Sequence, residues 1–226
     1  MIQSRIITFR GDFSIGTLSL RASGSTEKWT DFGEAIGNVV IPLGQEVRLE
    51  VFPTVLLEKQ TLSGLEPDAL SEFQWVSTSK VTDAAIANLR HLTGLKGLAL
   101  WETNIGDEAL QHVRHLCNLS WLDIGDTKIT DAGLGYLREL SCLNDLALLN
   151  DRISNYGLIH LQNLLKLEGL DLMNTPLTDE GAGMLCNMSR LKNLRIFNTC
   201  ITEEGYQKLK AALPRCRIKY YHPQNA

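Results

Sequence analysis

Leu95, Leu119, Leu143, Leu167 and Leu191 begin five blocks of 24 residues with no slippage between them. A strict period of this length restricts the chain to architectures built by stacking one small unit on the next. Each block is numbered here from zero at its leucine. Position 3 then holds Leu98, Leu122, Leu146, Leu170 and Leu194, and position 5 holds Leu100, Ile124, Leu148, Leu172 and Ile196. Position 10 holds Ile105, Ile129, Ile153, Leu177 and Ile201, and position 18 holds Val113, Leu137, Leu161, Leu185 and Leu209. Apolar residues two apart mark a strand, and apolar residues three apart mark a helix. One block therefore reads as a short strand, a turn and a returning helix. No block can bury its apolar face alone. Stacking pairs each strand in parallel with the next and lays the helices outside them.

Smaller residues recur in phase as well. Thr130, Thr178 and Thr202 precede the helical spacing, each followed by an acidic residue (Asp131, Asp179, Glu203). The threonine is expected to cap the helix N-terminus and the acid to favour the positive end of its dipole. Gly133, Gly157, Gly181 and Gly205 share position 14 with Ala109. Glycine inside a helix is unfavourable, so its recurrence predicts a packed spot that admits no more than a methyl group. Thr103, Thr127, Thr175 and Thr199 stand at position 8, with Asp151 in the same place. These side chains are expected to satisfy loop backbone groups from one repeat to the next.

The pattern LxxLxLxxTxITDxGLxxL resembles the leucine-rich repeats of bacterial proteins, and also the cysteine-containing subtype, with threonine at the usual cysteine position. The resemblance spans roughly residues 70–222. It implies an α/β solenoid, a horseshoe with a parallel concave sheet and convex helices, and a role in binding other proteins. The expected organisation is a small β-rich cap over 1–52 and repeats over 53–222. The regular repeats run from 95, irregular ones occupy 53–94, and a partial strand over 215–222 comes last. In the cap, Ile15–Leu20, Asn38–Pro42 and Val47–Phe52 alternate as strands. The stretch from Gly16 to Val51 is similar to the head of some repeat proteins of planctomycete-type bacteria. Leu56, Leu57, Leu62, Leu65 and Leu70 suggest an irregular entry repeat. Its strand has two registers. Counting back by 24 turns Gln74 and Val76 inward, whereas counting from Leu70 turns Phe73 and Trp75 inward with one extra residue in the next turn. The second is preferred, because burying Gln74 without a partner costs about 1–3 kcal/mol.

Strand alternation then assigns the concave face. If positions 3 and 5 point into the core, positions 2, 4 and 6 point outward from the sheet. Position 6 carries Trp101, Leu149, Met173, Phe197 and, in the last strand, Tyr221, an apolar column along one edge. Trp121 is expected near Trp101. Asp123, Asp145 and Asp171 form an acidic middle, and Arg195, Arg217 and Lys219 a basic end. Exposed apolar patches and Trp, Tyr and Arg side chains are typical of interfaces. Position 6 also stands at the strand's end, where it can instead fold under the following loop. The expected role is a non-enzymatic module that binds an unidentified protein or peptide as a monomer. The alternatives are a structural or fusion segment without its own ligand, and carbohydrate binding through the concave aromatics.

Other chemistries find little support. The net charge of −4 over 226 residues argues against a nucleic-acid partner. Apolar runs fall short of a membrane span, and Met1–Arg10 lacks the apolar centre of a secretory leader. Cys117, Cys142, Cys186, Cys200 and Cys216 are odd in number and irregular in spacing, which predicts free thiols and a cytoplasmic location. His112 and His115 stand three apart on one helix, with His91 one repeat earlier at nearly the same phase and His160 two repeats on from His112, but they do not offer the converging set a zinc ion needs. Asp123 with Asp145 imitates a glycosidase pair, yet an open sheet with no pocket would not shift a carboxyl pKa. No catalytic motif, metal site or cofactor is expected.

Overall fold

A computed structural model describes residues 4–10, 14–52, 62, 64–75 and 81–221. Strands β1 (Ser4–Phe9), β2 (Gly16–Ala22), β3 (Thr30–Glu34), β4 (Gly37–Pro42) and β5 (Gln45–Val51) precede the repeats. Seven three-residue strands follow: β6 (Glu72–Gln74), β7 (Gly97–Ala99), β8 (Trp121–Asp123), β9 (Asp145–Ala147), β10 (Gly169–Asp171), β11 (Asn193–Arg195) and β12 (Arg217–Lys219). They join β5, β2 and β3 in one sheet of order β12-β11-β10-β9-β8-β7-β6-β5-β2-β3, while β1 and β4 form a separate antiparallel pair.

The repeat dictates the sheet. β7 to β12 pair in parallel at a constant offset, Leu98 with Leu122, Leu146, Leu170, Leu194 and Ile218 in turn. β6 pairs with β7 one residue out of that rhythm, Phe73 against Leu98. Phe73 and Trp75 are both fully buried. The strand before Leu95 therefore takes the register that spares Gln74. β5 lies parallel to β6, Leu49 against Phe73, so the last strand before the entry segment already belongs to the solenoid sheet. β2 and β3 then continue that sheet antiparallel. β4 and β5 are joined by a tight turn at Leu43–Gly44 but pair in different sheets. Leu56 and Leu57 of the entry segment and the tail His222–Ala226 lie outside the described residues, whereas Leu62, Leu65 and Leu70 are buried.

Short helices return the chain behind the sheet: α1 (Asp83–Ile86), α2 (Asp107–Val113), α3 (Asp131–Leu134), α4 (Leu158–Leu161), α5 (Asp179–Leu185) and α6 (Glu203–Ala212). Single 3₁₀ turns extend α1 and α3 and precede α4. Strands stack about 4.8 Å apart and packed helices about 8–10 Å apart, so the slab curves with its strands on the inner side. Positions 3, 5, 10 and 18 of the five blocks are all buried and form one continuous core.

The turns differ from the expected capping. Thr130 and Thr178 make no side-chain cap bond. Instead, the acid that opens each helix reaches into the following repeat. Asp107 accepts from the Thr130 N–H (2.8 Å) and hydroxyl (2.7 Å), and Asp179 does the same for Thr202 (2.8 and 2.7 Å). Asp131 holds Ser154 in the same way, whereas Asn155 accepts from the Thr178 N–H (3.1 Å) and donates its Nδ2 to the Thr178 hydroxyl (2.7 Å). Only Thr202 and Ser154 also accept from their own helix. At Thr130 the bond goes to a carboxylate, and hydrogen bonds to a charged group are worth roughly twice a neutral one. The position-8 hydroxyls also stay closer to home than expected. Thr103, Thr127, Thr175 and Thr199 donate to the carbonyls of Leu100, Ile124, Leu172 and Ile196, each three residues back in the same repeat.

A further ladder was not foreseen. Position 7 is left-handed in every regular block: Glu102, Asp126, Asn150, Asn174 and Asn198 have φ between 52° and 58°. Asn and Asp tolerate this region better than other side-chain-bearing residues. Asn150 donates to Asp126 (2.7 Å), Asn174 to Asn150, and Asn198 to Asn174 (2.9 Å), so the turns are stitched together along the solenoid. The recurrence of Asp and Asn every 24 residues was the available signal.

Candidate functional site: the concave sheet face

Positions 2 and 4 form two rows across the sheet. The position-2 row runs Arg48, Glu72, Gly97, Trp121, Asp145, Gly169, Asn193, Arg217. The position-4 row runs Ala99, Asp123, Ala147, Asp171, Arg195, Lys219. Between Trp121 at one end and Arg217 and Lys219 at the other lies a groove of about 430 Å³. Asp123, Asp145, Asp171 and Arg195 line it. This corrects the expectation of an open face. The groove also perturbs its acids. Burial pushes the Asp123 carboxyl above its ordinary value, helped by the charges of Asp171 and Asp126. Burial likewise raises Asp145, with Glu168 adding to it. Asp171 is raised by burial too, against the opposing pull of the Met173 N–H and Arg195.

The acidic middle and the basic end are not separate. Arg195 Nη1 lies 3.1 Å from Asp171 Oδ2, and Asp171 is only 7% exposed. Asp123 accepts from the Gly125 N–H, and neither Asp123 nor Asp145 makes an ion pair among the described residues. Arg217 and Lys219 are exposed on the last strand.

Trp121 does not join Trp101. Its ring occupies the space above Gly97, where a Cβ would lie 2.1 Å from the indole, and Nε1 is 3.4 Å from Glu72. Gly97 opens β7, whereas Trp101 lies beyond the end of that strand, in the following turn. The missing side chain at Gly97 decides the direction in which the indole falls.

The position-6 column is graded in exposure. Trp101 (37%) and Tyr221 (45%) are exposed at its two ends, while Leu149, Met173 and Phe197 are half-buried. Leu149 covers Gly125, whose Cβ would meet it at 2.8 Å.

The other end of the position-2 row belongs to the first strands and was missed from the sequence. Glu46 binds Arg21 (2.6 Å) and Lys96 (2.6 Å), and these partners hold its carboxyl below the ordinary range against the cost of burial. Glu72 binds Arg48 (2.7 Å). The guanidinium carbons of Arg21 and Arg48 sit 4.3 and 4.5 Å from the Trp29 ring centroid. Counting position 2 back from Gly97 through the irregular register would have found Glu72 and Arg48. Trp29 lies before the repeats, and no periodicity points to it.

No protein-family model matches the sequence, and no curated protein matches it. Solved structures do. A leucine-rich-repeat protein of Leptospira interrogans superposes with a TM-score of 0.50 at 23% identity, over 67% of this chain and 37% of that one. This chain thus spans little more than a third of the Leptospira protein. Internalin C2 of Listeria monocytogenes superposes with a TM-score of 0.54 at 19% identity, over 77% of this chain and 80% of that one. Together with the in-phase strands and helices, these likenesses identify the fold: the chain is a leucine-rich-repeat solenoid.

Proposed function

We propose that the chain is a non-enzymatic binding module whose concave groove receives a protein or peptide segment. The observation that carries this reading is the groove itself. Its floor bears carboxylates without ion-pair partners at one end and exposed cations at the other, beside a column of partly exposed apolar side chains. Small ligands and peptides bind in concave sites with a few placed polar groups. The protein-binding residues of this reading are Trp101, Trp121, Asp123, Asp145, Leu149, Asp171, Met173, Arg195, Phe197 and Tyr221. Trp121 and Arg195 act partly through the contacts they make within the sheet. Five unpaired cysteines support a reducing, cytoplasmic setting, and among the described residues no helix is long and apolar enough to cross a membrane.

A library of random dodecapeptides displayed on phage tests the reading with the full chain as bait. The intact protein should enrich binders, and the Trp101→Ala/Phe197→Ala variant should lose about tenfold or more in affinity for them, as interface anchors do. Its melting temperature should fall by only a few degrees, because Trp101 is 37% exposed and Phe197 half-buried. Equal loss of folding would assign both residues to the core and remove the apolar column from the site. A glycan array in parallel checks the carbohydrate alternative.

A further inference from the structure

Resting on the reading above, we propose that the groove selects an extended peptide in which a lysine or arginine and an acidic side chain stand four residues apart, on the same face of the chain. The argument begins at Ala147. This small residue lies between Asp123 and Asp171 in the position-4 row, with strands on either side. Strand spacing sets the two flanking backbones about 10 Å apart, enough to admit a cationic head over the alanine methyl. Asp145, on the same strand as Ala147, leans over Gly169, where a Cβ would lie 2.0 Å from its Oδ1. Asp171 is already neutralised by Arg195 at 3.1 Å. Asp123 and Asp145 make no such pair among the described residues. A cation arriving there would meet the half-buried Asp123 carboxylate, part of whose desolvation cost is already incurred in the free protein, with the exposed Asp145 on the neighbouring strand.

The opposite end repeats the logic with reversed sign. Arg195 is spent on Asp171, which leaves Arg217 and Lys219, both exposed, to take an anion. The notch over β9 and the cations on β12 are three strands apart, about 14 Å at sheet spacing. An extended chain advances about 3.3 Å per residue and turns every second side chain to the same face, so residues four apart, about 13 Å, both face the groove, and side-chain reach covers the remainder. Arg217 and Lys219 are side-chain cations on a strand. Terminal carboxylates are held instead by nests of backbone N–H groups, so the anion here is an aspartate or glutamate side chain. Opposed charges across the groove also fix the direction in which the peptide lies.

The same dodecapeptide selection, with ends acetylated and amidated on resynthesis, reads this out. Selected sequences should be enriched in Lys or Arg and Asp or Glu separated by four positions. Asp123→Asn/Asp145→Asn should weaken those peptides by about tenfold and erase the preference for Lys or Arg, while sparing the acidic preference. Arg217→Gln/Lys219→Gln should do the converse. These four residues are at least partly exposed, so both variants should keep the circular dichroism and melting behaviour of the parent. Peptides that bind through the apolar column with no charge pattern would overturn the inference and leave the binding module standing. Binding only by peptides with a free C-terminus would overturn the assignment to an acidic side chain. No enrichment at all would overturn both.

Discussion

Replacing Asp151 by threonine is expected to stabilise the protein by on the order of 4 kcal/mol at about pH 8, and to flatten its stability profile between about pH 4 and pH 8. Asp151 occupies the place where four other blocks carry threonine, and it is 3% exposed. Its Oδ1 accepts from the Thr127 N–H (3.0 Å) and lies 3.1 Å from the Thr127 hydroxyl oxygen, while Oδ2 has no hydrogen-bond partner among the described residues. Burial, reinforced by the charges of Asp126 and Asp123, pushes its carboxyl from 3.8 to about 7. The threonines show what the site prefers, an O–H donated to the carbonyl three residues back. A protonated Asp151 carries no charge on its unpartnered buried oxygen, whereas an ionised one does. The folded pKa lies above the unfolded one, so the folded state holds the proton more tightly. The stabilisation is complete below about pH 4 and is lost as pH rises through about 7. A shift of about three units at ~1.4 kcal/mol each sets the magnitude. Urea midpoints of the parent and of Asp151→Thr, measured at steps across this range, isolate the site, since every other titrating group is common to both. Parallel curves would show that Asp151 is ionised and solvated in the folded protein.

Gly133→Ala is expected to destabilise by about 2–3 kcal/mol, the reverse of the usual gain of about 0.5–1 kcal/mol for alanine over glycine inside a helix. A Cβ at Gly133 would stand 2.3 Å from Asp107 Oδ1. That oxygen holds the Thr130 N–H, and its partner holds the Thr130 hydroxyl. The methyl group therefore displaces a carboxylate and leaves a buried turn unsatisfied. Gly157, Gly181 and Gly205 are crowded in the same way by Asp131, Asn155 and Asp179. Ala109 is tolerated in the one block where Gly106 replaces the threonine and Asp83 takes only its N–H (2.6 Å). A double-mutant cycle decides the mechanism. Asp107→Ala removes the obstruction, so its cost and that of Gly133→Ala should sum to well over the cost of the pair. Additive costs would mean that the glycine is needed for another reason.

Much of this protein was legible before any coordinates. Positions 3, 5, 10 and 18 specified the core, and the aversion to burying Gln74 selected the register of the irregular strand. Alternation also placed the concave residues on their rows. The behaviour of those residues was less accessible. The groove, the tie between Arg195 and Asp171, and the turn of Trp121 toward Glu72 did not follow from period and alternation. Nor did the reach of Asp107 past its own helix to Thr130.

The repeating unit was readable from pattern alone, because strand and helix periodicities are local and are written afresh every 24 residues. The lateral bonding between units was not. Those contacts join residues 23 to 49 apart in the chain, and each depends on which neighbour leaves room for it. Gly97 lets an indole lie down, Gly133 admits a carboxylate, and Asp151 is pressed into a threonine's place. Packing selects among partners that a period makes equally near.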